Sequence, residues 1–131
     1  MVRAGFCLAL YVFGTGATAC PTQDGFVAFA PEFDSAAKVY VGIPDITVSQ
    51  PFKVGVEICG AEAFEIERIK VDAMMPTHQH GMNYAPDVTQ ADDGLLEAFP
   101  MVFHMPGDWQ ITVETWENGE RKVFRHDLRV D

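Results

Sequence analysis

"WQITVETWENGERKVFRHDLRV", residues 109–130, is the stretch whose reading decides the fold. Trp109, Ile111 and Val113 alternate with Gln110, Thr112 and Glu114, and Phe124, His126, Leu128 and Val130 share one side of the second half. Side chains on a strand point alternately to opposite faces, so this period of two puts the apolar set on one face and the polar set on the other. Between the halves, Asn118-Gly119 supplies the two residue types that best tolerate positive φ in a tight hairpin. The stretch predicts two antiparallel strands joined by a short turn.

The same signal recurs upstream. "PFKVGVEI", residues 51–58, sets Phe52, Val54, Val56 and Ile58 against Lys53, Gly55 and Glu57. "FEIERIKVDAMM", residues 64–75, is rich in Ile and Val, and further strands are expected over Gly25–Ala30, Lys38–Gly42 and Leu95–Phe103. Turn residues fall at Pro31, Pro44-Asp45, Gly60, Pro76, Asp92-Asp93-Gly94 and Pro106-Gly107-Asp108. Roughly six to eight short strands with turns about every 8–12 residues predict an all-β, antiparallel β-sandwich. No amphipathic helix, internal repeat or low-complexity segment interrupts the pattern.

The N-terminus reads differently. "MVRAGFCLALYVFGTGATAC" carries Arg3, an apolar run from Ala4 to Phe13 and small residues ending in Ala17-Thr18-Ala19. That is the layout of a cleavable secretory leader over residues 1–19, and the apolar run is too short to cross roughly 30 Å of hydrocarbon. The remainder, residues 20–131, has the size of one domain, and the expected location is periplasmic or secreted. Loss of Arg3 takes Lys+Arg from 9 to 8 against 19 Asp+Glu, so the formal charge moves from −10 to −11. Such an acidic surface argues against nucleic acid and anionic lipid as partners.

Of three cysteines, Cys7 lies in the leader, which leaves Cys20 and Cys59. In an oxidising compartment an even pair favours a disulfide, worth about 4 kcal/mol by the chain-entropy argument. Ala17-Thr18-Ala19-Cys20 also resembles a bacterial lipobox, in which case Cys20 is acylated, the protein is lipid-anchored and Cys59 is left free. A buried structural thiol at Cys59 is the third option.

"MMPTHQHGMNYAP", residues 74–86, concentrates His78, His80 and Met82 in a chain with only four histidines and six methionines. In an extended segment these three share a face, so two imidazoles and a thioether would converge. That neutral, partly soft set favours copper, Cu(I) above all, over Ca²⁺ and Mg²⁺, while zinc would call for a carboxylate or thiolate. A second group, "MVFHMPGDW", residues 101–109, places His104 and Met105 at the end of an expected strand, where they are candidates to complete the shell, with Met101 a more distant one. Met74, Met75, Trp109 and Trp116 are expected in the core or on a sheet face, Asn83 and Tyr84 around the site, and His126 as a hydrogen-bonded structural residue.

Catalytic alternatives find little purchase. No serine sits in a G-x-S-x-G setting, and a blue-copper site would need a cysteine ligand beside the His and Met. The expectation is a binding protein, not an enzyme.

The two segments, "MMPTHQHGMNYAP" and "GLLEAFPMVFHMPGDWQITVE", resemble the YtkA-like family, whose members carry an M-P-x-H-x-H-G-like segment and a later H-M-x-G-x-W-like one, and the related FixH proteins. The likeness covers roughly residues 50–131. It implies an exported or membrane-anchored immunoglobulin-like β-sandwich associated with copper handling or oxidase assembly. Carried over by position, it touches Met75, Pro76, His78, His80, Met82, His104, Met105, Gly107 and Trp109. The arrangement is also similar to that of periplasmic copper chaperones with His and Met on a cupredoxin-like sandwich, although the order of ligands differs.

The sequence therefore points to a copper chaperone or carrier with one copper ion held by His78, His80, Met82, His104 and Met105. Its partners would be a copper donor or acceptor protein or an oxidase assembly component, with membrane contact only if Cys20 is lipidated. The competing expectation is a metal-free secreted sandwich that binds a protein partner.

Overall fold

The computed structural model describes Cys20, residues 23–60 and residues 66–131; the expected leader, residues 1–19, lies outside them. Nine strands follow in chain order: β1 (Phe26–Pro31), β2 (Lys38–Gly42), β3 (Pro51–Cys59), β4 (Ile66–Met75), β5 (His80–Gly81), β6 (Asp87–Gln90), β7 (Leu96–Val102), β8 (Gly107–Glu117) and β9 (Glu120–Val130). All pairings are antiparallel, and the described residues contain no helix.

The hairpin at the C-terminus forms as its sequence requires. β8 and β9 pair from Gly107↔Val130 to Glu117↔Glu120, and the turn between them puts Asn118 at φ 49° and Gly119 at φ 78°. Trp109, Ile111, Val113 and Phe124 are buried along one face. In β3 the same alternation buries Phe52, Val54 and Val56 and leaves Lys53 exposed.

The strands run in the order β5-β4-β8-β9-β1-β2-β3-β7-β6. β1 joins the two halves: Phe26 to Phe29 pair with β2, whereas Ala30 and Pro31 pair with β9. The sheet then curls so that Val39, Val54, Val56 and Met101 from one half share a single core with Val71, Met75, Trp109 and Val113 from the other. The result is an all-β, sandwich-like fold, with one buried layer between two faces of the same curled sheet. Its two ends, β5 with two residues and the polar β6 with four, are short, which limits the exposed ladder they offer.

A disulfide joins Cys20 to Cys59, with Cα atoms 5.5 Å apart. It occupies the sulfur that acylation of Cys20 would use, and it ties the start of the described chain to the C-terminal end of β3. Two expectations change. Met74, expected in the core beside Met75, is 39% exposed, because neighbours on a strand face opposite ways and Met75 takes the buried side. His126 lies with its ring stacked on Phe29, centroids 5.3 Å apart, so among the described residues its contact is aromatic packing.

Candidate metal centre

The His-rich segment is a turn, not the extended strand that its H-x-H-x-M spacing suggests. Residues 76–79 turn sharply, the N–H groups of His78 and Gln79 both donate to the Met75 carbonyl (3.2 and 2.9 Å), and Gln79 takes φ 54°. Pro76 opens the turn, where its fixed φ and lack of an N–H cost nothing to the ladder. The chain then returns as β5, pairing His80 with Met75 and Gly81 with Met74. Met82 extends the return by donating its N–H to the Ala73 carbonyl at 3.2 Å.

This register sets the side-chain directions. Directly opposed residues of an antiparallel pair project from the same face, so His80 shares a face with Met75, which is only 1% exposed. Met82, two positions on, follows His80 inward and packs against the core. His78 lies before the break in alternation and is exposed on the turn.

The second contribution comes from residues 103–106, which link β7 to β8. Trp109 organises this link. Its ring stacks on Phe103 (centroids 4.2 Å apart, planes 4° apart), meets the His104 ring edge-to-face at 5.4 Å, and donates its Nε1–H to the Met105 carbonyl at 3.1 Å. With its backbone so held, Met105 packs its side chain on the core and His104 points at β5.

His80 Nε2 and His104 Nε2 stand 3.2 Å apart. The two nitrogens are within hydrogen-bond distance, with donor and acceptor set by the ring tautomers. The remaining nitrogen of His104, Nδ1, is buried with no hydrogen-bond partner among the described residues, so the ring's polar contact there is made through Nε2. A separation of 3.2 Å also suits two nitrogens bound to one metal ion: with metal–nitrogen distances of about 2.0–2.1 Å it corresponds to an angle of about 100°.

Gly107 lets the buried thioether approach. It has φ 133°, and a Cβ built there would lie 2.7 Å from Met75 Cε. Met75 therefore belongs to the cluster as well as to the core, a role that treating it as core alone had missed. The signal for it was the M-P-x-H spacing. His80, His104, Met75 and Met105 form a His/Met arrangement compatible with metal binding, with Met82 inward beside Ala73.

His78 is nearby, its ring centroid 5.6 Å from that of His80. Among the described residues no three His, Cys, Asp or Glu side chains gather as a metal-ligand group, so His78 stands off from the His80–His104 pair. Met101 is fully buried in the core, and Asn83 and Tyr84 are exposed.

No family model, curated protein or solved structure matches this chain.

Proposed function

We propose that this chain binds one copper ion, preferably as Cu(I), and carries it between proteins in an oxidising compartment outside the cytoplasm. The observation that supports it most directly is the 3.2 Å approach of His80 Nε2 to His104 Nε2 beside methionine side chains. A linear two-imidazole Cu(I) complex would hold its nitrogens about 4 Å apart, twice the usual metal–nitrogen distance. The shorter separation favours a bent pair whose open side takes a third and fourth donor, and Met75, Met82 and Met105 are the soft candidates. Neutral thioethers stabilise Cu(I) and do little for Zn²⁺, Mg²⁺ or Ca²⁺.

The disulfide fits an oxidising compartment, and because the Cys20 and Cys59 sulfurs are both in it, neither of these two is a thiolate ligand of the blue-copper kind.

The test is a titration with Cu(I), free of oxygen, against a chromogenic chelator. The expected result is a one-to-one complex tighter than about nanomolar, weakened at least about tenfold by His80→Ala and by His104→Ala. Competition no stronger than that of an unrelated acidic protein, with both substitutions silent, would leave the cluster as packing and return attention to a metal-free adaptor.

A further inference from the structure

We propose that His78 is the exchange ligand of this site: the side chain that takes the metal from an incoming protein and passes it to His80 and His104, without itself holding it at rest. The inference rests on the metal-binding reading above and adds a route of transfer to it.

Three imidazoles lie in a row. His78 is exposed on the turn, its centroid is 5.6 Å from His80, and His80 is 5.1 Å from His104. The inner two are partly buried and meet nitrogen to nitrogen, with buried Met75 opposite His80. The outer ring is thus exposed, whereas the inner two are half-buried with methionines packed nearby. The turn backbone beneath His78 is pinned by the two hydrogen bonds to Met75 O and by the left-handed Gln79, whereas the ring itself has no hydrogen bond among the described residues. An exposed ring on a fixed backbone can rotate between a partner's face and His80.

Metal transfer without release into water needs each new bond to form before the last old one breaks. At the outer step a bond from Cu(I) to the His78 imidazole forms as one bond to the carrier's donor breaks. At the inner step a bond to His80 forms as the carrier's last bond breaks, and a bond to His104 forms as the His78 bond breaks. Copper remains Cu(I) and no electron moves. The fitting partner is a protein that presents Cu(I) on exposed soft donors, for which a small bidentate Cu(I) chelator stands in as the probe.

A ligand that serves only exchange speeds loading and unloading alike and leaves the equilibrium where it was. Stopped-flow transfer of Cu(I) between the chelator and the full chain therefore separates the roles. For His78→Gln the expected result is a loss of at least about tenfold in both rates, with the dissociation constant within about threefold of wild type. His78→Met, which restores a Cu(I) donor at the same place, should recover most of the rate. Unchanged rates in His78→Gln would reduce His78 to a solvated turn residue. A tenfold weaker complex with faster unloading would make it a resident ligand, and either result overturns the proposal. Wild-type protein that fails to bind Cu(I) at all would sink the parent reading as well, whereas tight binding lost in His80→Ala but kinetically indifferent to His78 would sink this inference alone.

Discussion

Replacing Gly107 by alanine tests the link between backbone and cluster. At φ 133° glycine occupies a region that residues with a Cβ rarely enter, and such strain costs roughly 1–3 kcal/mol. The added methyl would also lie 2.7 Å from Met75 Cε, where carbon atoms prefer about 3.5–4.0 Å. Met75 Cε is the end of a flexible side chain and can shift, but at 1% exposure it must repack against the core, at the low end of the roughly 1–3 kcal/mol that overpacking costs. Together the two effects predict a loss of about 3 kcal/mol, or a fall in Tm on the order of 15 °C for a domain of this size. Thermal and urea unfolding followed by circular dichroism read it out. A cycle with Met75→Ala divides the total: with the thioether gone only the backbone strain remains, so Gly107→Ala should cost about 1 kcal/mol less in that background. A Gly107→Ala protein whose Tm stays within about 2 °C of wild type would refute the reasoning, because both effects would then be absent.

Other consequences are equally direct. Cu(I) binding should quench Trp109, whose ring is 5.4 Å from His104; Trp116→Phe should keep the metal-induced change and Trp109→Phe should remove it, since Trp116 lies instead under the Arg68 guanidinium. Replacing both Cys20 and Cys59 by serine should lower the free energy of unfolding by about 4 kcal/mol, measured by urea titration against the oxidised protein. The Glu114 carboxyl is held below its ordinary value of 4.5, first by the hydrogen bonds from Arg121 (both 2.8 Å) against some desolvation, then by the charges of Arg121, Lys70 and Arg68. A depressed carboxyl stabilises the fold above its unfolded value and loses that contribution as the pH falls through the folded one. The stability gap between wild type and Arg121→Gln should thus be constant above about pH 4.5 and close in more acid solution, as urea midpoints across the range will show.

Much of the fold was legible because alternation is a local signal. β3, β8 and β9 each carry it over enough residues to fix their faces, and Asn118-Gly119 specifies the turn chemically. β6, Asp87–Gln90, left no trace, since a four-residue edge strand with one inward apolar side chain, Val88, is too short to show an alternation. The adjacent Met74 and Met75 could not both face inward on one strand, and the pattern alone did not say which would. For the site, composition drew attention to the right segment, but the assumption of an extended chain misplaced His78. Pro76 begins a turn, and a turn abolishes the alternation on which a shared face depends. The meeting of His80 with His104 depends on the curl of the sheet and on how Trp109 holds the link before β8, and no local pattern records either.

The disulfide has a consequence for any count of bound metal. Cys59 ends β3, whereas Pro51 at its other end pairs with Val102, just ahead of His104. Eight residue steps along the strand put the sulfurs about 25 Å from the imidazoles. A reductant strong enough to cleave the bond would therefore create a second pair of soft donors far from the first, and thiolates bind Cu(I) readily. Stoichiometry measured in dithiothreitol then sums two unrelated places. Ascorbate, which keeps copper reduced but spares the disulfide, would keep the Cys20 and Cys59 sulfurs out of the count.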